Sequence, residues 1–379
     1  MTQRTSSVPV QMTSQTRPEG GGTRRRTRLY VEESRRPRTK YGEVSWNGTR
    51  RLFWSVALLS LLAIAPAPRS ASAADKLVGI YAARVMSQSL PWIAREAGLF
   101  KKHNLDFELK YIASSSMVTA AMLSGEAEVG LVGSVGIIQA VVKGATDLVF
   151  IGGVKNTLTH SILAKPEIKR GEDLKGKKVG ITRFGSNTHY FATQAARRLG
   201  LDPGRDFTFI QTGGEPEMFA ALTSGAIDAA AMTAPMDARA ISQGFHYLVY
   251  GPDLRIPYLA AAFVTRRSVI ASRPQVVAQF MRTMAEAAKL IHTDRELTYR
   301  VLAKELRLDD RKVLEAAYNS EIKALEQRFE IKREGLEAVL EEVAQTDPKA
   351  KSVKPQDLVD RRFVDEMERS GFFDRLWGK

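Results

Sequence analysis

The sequence predicts an α/β protein of two lobes with a cleft between them. Two observations carry that expectation. First, one unit occurs twice: Met122-Leu123-Ser124-Gly125-Glu126-Ala127-Glu128-Val129-Gly130-Leu131 reappears as Leu222-Thr223-Ser224-Gly225-Ala226-Ile227-Asp228-Ala229-Ala230-Ala231. Each copy ends an Ala-rich helix at Ser-Gly, passes an acidic residue and enters a short strand of small apolar residues. Second, strand and helix patterns alternate, and their order restarts once along the chain. Two equivalent units imply two similar lobes. Strand ends and helix starts facing each other imply a cleft.

The elements follow in order. Leu77-Val78-Gly79-Ile80-Tyr81 is a strand. A helix opens with Pro91 in its first turn and closes at Gly98. The stretch 107–112 alternates like a half-buried strand. The first repeat unit and a strand at 148–152 complete one set. A connecting strand at 161–164 leads into the second set: a strand at 177–181, a helix at 188–199 ending at Gly200, a strand at 206–211 and the second repeat unit. A strand at 247–250 closes it, and 260–264 reads as a return strand. The tail is helical at 274–292, 296–306 and 311–329. In the first of these, Val276, Phe280, Met284, Ala287 and Ile291 form one apolar face.

The first residues read as an address label. Residues 1–51 hold twelve Lys/Arg and four acids with little apolar periodicity, a composition that cannot bury a core. An apolar run from Leu52 to Ala65 follows. It is too short for a spanning helix, which needs roughly 20 residues. Ala71-Ser72-Ala73 then matches a signal-peptidase site, with the cut before Ala74. Thr49-Arg50-Arg51-Leu52-Phe53 fits a twin-arginine export signal or an ordinary basic lead to the general secretory route. The chain has no cysteine, which excludes a lipoprotein anchor, disulfides and thiolate metal sites. The expected location is therefore the periplasm. Residues 1–73 carry thirteen Lys/Arg against four acids, so the overall charge of +14 falls to 14 − 9 = +5 for the remainder. A nucleic-acid partner loses its main support.

Several segments then resemble a known family. Pro91-Trp92-Ile93-Ala94-Arg95-Glu96-Ala97-Gly98-Leu99-Phe100-Lys101-Lys102-His103-Asn104-Leu105 is similar to the early pattern of the periplasmic substrate-binding proteins of ABC importers. The matching branch includes nitrate, sulfonate and taurine binders and the thiamine-precursor (pyrimidine) group. Asn104 stands where that family usually has Gly; both tolerate a left-handed turn. The two Ser-Gly-acidic units, Asp173-Leu174-Lys175-Gly176-Lys177-Lys178-Val179-Gly180, and the ending around Asp357, Phe363 and Ser370-Gly371-Phe372 also fit. The resemblance covers about residues 76–375. It implies a type II periplasmic-binding-protein fold with two chain crossings and a ligand at the hinge. The implied division is 1–73 leader, 74–163 first lobe, 164–260 second lobe, and 261–379 return to the first lobe with C-terminal helices. The implied partners are a small-molecule solute and an ABC permease in the inner membrane, with the protein a monomer.

In open α/β sheets a ligand lies beyond the carboxyl ends of the strands, near helix N-termini that suit an anion. Four such corners can be read. They offer Arg84, Gln88 and Ser89; Gly133 and Ser134; Arg183, Ser186, Asn187 and Thr188; and Thr233. Ser134, Ser186, Asn187, Thr188 and Thr233 read equally as helix caps. Arg84 and Arg183 suit a carboxylate, sulfonate or phosphate, or are surface arginines. His160, near the first crossing, is a ligand contact or a structural histidine with one hydrogen bond. Phe184 and Tyr190 could stack on a flat ligand or simply pack. No catalytic residue, metal site or cofactor is expected. The five histidines lack metal spacing, and there is no nucleophile elbow or phosphate loop. The pyrimidine-synthase relatives depend on a Cys-rich motif that this chain lacks. The alternatives are an enzyme on the same fold acting on a pyrimidine-like molecule, or a sensory protein that presents ligand to a receptor.

Overall fold

The computed structural model describes residues 73–378. The export segment expected at 1–73 lies, apart from Ala73, outside the described residues. The chain runs β1 (Asp75–Tyr81), α1 (Leu90–Glu96), β2 (Leu105–Tyr111), α2 (Ser115–Ser124), β3 (Val129–Val132), α3 (Ser134–Val142) and β4 (Leu148–Thr157). It starts again with β5 (Ser161–Ala164), β6 (Lys178–Ile181), α4 (Asn187–Arg198), β7 (Thr208–Gln211), α5 (Glu215–Thr223), β8 (Ala229–Met232), α6 (Met236–Ser242) and β9 (His246–Val249). After β10 (Pro257–Arg266), the longer helices of the tail are α7 (Pro274–Thr293), α8 (Arg295–Leu306), α9 (Arg311–Glu321) and α10 (Arg333–Ala344).

The strands form two sheets of one topology, with orders β2-β1-β3-β10-β4 and β7-β6-β8-β5-β9. In each sheet three strands are parallel and the fourth position is antiparallel to both its neighbours. That antiparallel strand is the one arriving from the other half: β10 in the first sheet, β5 in the second. The molecule is bilobed, as the sequence predicts. The strands change sheet slightly earlier than the division at 163 and 260. Ser161 already pairs with Met232, and Pro257 already pairs with Thr157, which places the crossings at 158–160 and 250–256.

The repeat has a structural meaning. β3 and β8 are four residues each and buried throughout, as strands covered on both faces must be. The glycines before them, Gly125 and Gly225, adopt φ of 83° and 78° and end their helices. Asn104 adopts φ 56°, the left-handed turn expected there.

The predicted apolar face of α7 is buried, with Phe280, Met284, Ala287 and Ile291 in the core of the first half. Burying one such Phe contributes roughly 1.5–3 kcal/mol. Of the extents that differ from the sequence reading, two bear on the site. The strand expected at 148–152 continues to Thr157, because β10 pairs along its length. The helix expected at 311–329 stops at Glu321, which is buried with its carboxylate on Lys155. The chain then turns so that Leu325 can pair with Lys155. Among the described residues no helix is long and apolar enough to cross a membrane.

Candidate functional site

The carboxyl ends of the parallel strands of both sheets converge on one small polar cavity of about 30 Å³. From the first half come Ser87 and Gln88 after β1, Ser114 and Ser115 after β2, Lys155 on β4 and Ala260 on β10. From the second half come Thr182 after β6, Asn187 and Thr188 at the start of α4, Glu215 at the start of α5 and Thr233 after β8. His160 enters from the crossing segment.

Most of these groups are held by their own backbone surroundings. The Gln88 Oε1 accepts the N–H groups of Ala82 and Ala83, at 2.7 and 3.0 Å, fixing the turn after β1. Thr188 Oγ1 accepts the Thr182 N–H at 2.8 Å. Asn187 reaches across the lobes: its Nδ2 donates to the Ala260 carbonyl at 2.8 Å, and its Oδ1 accepts the Tyr258 hydroxyl at 2.8 Å. Gly133 permits this approach, since a Cβ there would lie 1.9 Å from the Asn187 side chain.

The ionisable groups form a buried chain. Lys155 Nζ donates to Glu321 Oε2 at 2.7 Å and to Thr159 Oγ1 at 2.8 Å, and Thr159 in turn contacts Glu321 Oε1. Thr233 Oγ1 donates to Glu321 Oε1 at 3.4 Å, and the Thr233 N–H donates to Glu215 Oε2 at 3.1 Å. The second Glu215 oxygen, Oε1, stands 3.8 Å from His160 Nε2. His160 is 5% exposed and its Nδ1 has no hydrogen-bond partner. Burial, aided by the charge of Lys155, pushes the imidazole down to about 3. Burial pushes Glu215 up to about 8; the Thr233 N–H and Lys155 oppose the rise, while Asp237 and Glu321 add to it. At neutral pH the pair is therefore a neutral imidazole beside a carboxylic acid, not a salt bridge.

The structure gathers Gln88, His160, Asn187, Thr188 and Thr233 of the sequence-predicted residues into the cavity lining. Gly133 and Ser134 lie behind it, Gly133 against Asn187 and Ser134 fully buried. Ser89 is also buried, its hydroxyl donating to the Met86 carbonyl. Ser186 caps α4 through the His189 N–H. The two arginines do not line the cavity. Arg183 is exposed, and the Arg84 guanidinium lies over the Tyr111 ring at 4.7 Å. Phe184 is 52% exposed and joins His189 and Phe209 in an outer aromatic group. Tyr190 packs on Tyr258. That outer group lines a wider groove of about 520 Å³, which lies away from most of the strand ends.

Sequence reasoning passed over Lys155 and Glu215. A signal existed for Glu215. It follows Gln211-Thr212-Gly213-Gly214 at the carboxyl end of a parallel strand, the same kind of corner that yielded the other candidates. Ser114 and Ser115 after β2 occupy the matching corner of the first sheet. Lys155 was visible only as a charge within an otherwise apolar strand.

Two α/β lobes closing a polar cavity at their shared hinge define the periplasmic-binding-protein class of fold. The chain belongs to the NMT1/THI5-like family, whose model matches residues 90–296. It is 25% identical over 293 residues to a binding protein of Brucella abortus (strain 2308), covering 76% of this chain and 88% of that one. It is 26% identical over 182 residues to the taurine-binding periplasmic protein of Escherichia coli (strain K12), covering 46% and 54%. The alkanesulfonate-binding protein of Xanthomonas axonopodis pv. citri, bound to MOPS, shares the fold with a TM-score of 0.64 at 21% identity, covering 76% of this chain and 98% of that chain.

Proposed function

We propose that this protein is the extracytoplasmic solute-binding component of an ABC importer, a monomer that closes two lobes over a small organic solute and presents the closed form to a membrane permease. The observation that carries this reading is the cavity itself. It is polar, buried, and built from both lobes at the strands where the chain crosses between them. A hinge-closing fold needs its ligand to touch both halves, so that binding favours the closed state. The names of the Brucella and Escherichia coli relatives and the expected export segment point the same way. On this reading one lobe is 74–157 with 257–378 and the other is 161–249, joined by the crossings at 158–160 and 250–256. The solute contacts are Gln88, His160, Asn187, Thr188 and Thr233, joined by Glu215.

Calorimetry and thermal shift against sulfonates, carboxylates, nitrate and pyrimidines test the reading. Saturable binding that shrinks the radius of gyration supports it. Absence of binding to any small solute, with no small molecule extractable from fresh protein, counts against it. The enzyme alternative has one observation in its favour, the buried His160–Glu215 pair with both groups displaced from their usual range. Turnover of a bound solute, abolished by His160→Ala, would turn the assignment to catalysis.

A further inference from the structure

The cavity has an uneven balance of charge. Among the described residues its ionisable lining groups are Lys155, His160 and Glu215. Lys155 is spent on Glu321 at 2.7 Å. His160 is a neutral ring with an unpartnered Nδ1. Arg84 and Arg183 line no part of the cavity. Among the described residues, no unpaired cation therefore lines the cavity to meet an oxyanion. Helix starts supply only about half an elementary charge each. Of those at the cavity, α5 already carries the Glu215 carboxyl in its own first turn.

Glu215 has the opposite character. One oxygen accepts the Thr233 N–H, and the other stands 3.8 Å from His160 Nε2, too far for a hydrogen bond between them. A carboxyl and a neutral imidazole so placed form a pair of acceptors for one N–H-rich group. We infer that the solute presents a protonated nitrogen, an ammonium or amidinium, to Glu215, with His160 accepting a second N–H from the same group. This deepens the solute-binding reading and rests on it.

The chemistry includes a proton balance. Around Glu215 stand Asp237, Glu321, Lys155 and His160, and Tyr111 feels its charge from the first half. Burial among protein groups favours the protonated Glu215 carboxyl at pH 7. A cationic nitrogen favours the carboxylate, so the carboxyl proton leaves to solvent as the solute enters.

The test is calorimetry at pH 7 in buffers of different ionisation heat, with six probes in pairs: taurine and isethionate, ethanolamine and acetate, benzamidine and benzoate. The inference expects at least one nitrogen cation to bind while its nitrogen-free counterpart binds at least about tenfold more weakly, with net proton release. Glu215→Gln, which keeps the acceptor for Thr233, should weaken that binding about thirtyfold or more and remove the proton release. A nitrogen-free oxyanion that binds as well as its partner, unaffected by Glu215→Gln, overturns the inference and leaves the solute-binding reading standing. Binding by none of the six also overturns it; the mass of any small molecule extracted from fresh protein then judges the solute-binding reading separately.

Discussion

Glu215 Oε1 lies 3.8 Å from His160 Nε2, with both side chains buried at the meeting of the two lobes. The two groups move in opposite directions on folding, and that fixes how stability depends on pH. Glu215 rises from 4.5 to about 8. An acid with a raised folded value gives stability that is fully present below pH 4.5 and lost as pH climbs through 8. His160 falls from 6.5 to about 3. Its contribution is present above pH 6.5 and lost as pH falls toward 3. Glu215→Gln should therefore flatten the alkaline limb, between about pH 4.5 and 8, by a few kcal/mol and leave the acid limb alone, since a tenfold change in proton affinity is worth about 1.4 kcal/mol. Urea unfolding at half-unit pH steps checks it. An unchanged alkaline slope in the variant would remove Glu215 as its source.

The Lys155–Glu321 pair predicts a different pattern. Both side chains are almost inaccessible, at 1% and 3%. Removing one partner leaves a buried charge without a counter-charge, so Lys155→Met should cost about 3–5 kcal/mol. The double variant Lys155→Met/Glu321→Leu should recover most of that loss, because two ions are exchanged for apolar groups. Its remaining deficit measures the Thr159 and Thr233 hydroxyls that lose Glu321 as an acceptor. Denaturant midpoints of the three proteins test the non-additivity directly.

The two crossings meet most tightly at a glycine, beside the Leu158 N–H to Ile256 carbonyl bond. A Cβ on Gly251 would lie 1.5 Å from the His160 carbonyl oxygen, which is backbone and cannot swing aside. Gly251 also donates its N–H to Ser161 Oγ at 3.0 Å. Gly251→Ala should therefore destabilise by about 3 kcal/mol or more, through overpacking rather than through strain at the glycine itself. Gly144→Ala is the control for an exposed loop glycine with open space around it, although its φ of 107° carries a local penalty of its own. Chemical denaturation of both separates the two effects.

How much of this was legible in sequence follows from the range of each interaction. Glu128 and Asp228 show the readable part. Each accepts a strand N–H, from Val78 and Lys178, and so ties its repeat unit to the neighbouring strand. These are local devices with a local pattern, and the repeat exposed both at once. The glycine caps and the α7 face are of the same kind. The site was only half readable. Caps such as Ser186 and corners such as Thr233 announce themselves by spacing. Glu321 lies 166 residues from Lys155 and meets it only because α9 ends against β4. The two arginines lie outside the cavity lining, because a sequence position beside a strand end says nothing of which way the chain turns next. Arg183 and Phe184 are exposed at a corner whose Ser186 and Thr188 are buried.

Asn187 makes the last and sharpest mechanical prediction. It belongs to the second half, yet its amide bonds the Ala260 carbonyl on β10 and the Tyr258 hydroxyl, both of the first half. Ser115 adds a longer contact at 3.4 Å. The residue thus joins the lobes across the cavity through protein groups alone. Asn187→Ala removes these bonds and leaves Tyr258 and Ala260 to water once the lobes part. Global stability should fall by only about 1–2 kcal/mol, roughly the net worth of the two hydrogen bonds removed. The lobe equilibrium should move much further, giving a radius of gyration in solute-free solution clearly larger than wild type by small-angle scattering. Gly133→Ala should reproduce that expansion, since its methyl would drive the Asn187 side chain from its place at 1.9 Å. If both variants keep the wild-type radius, Asn187 packs the cavity wall without holding the lobes together.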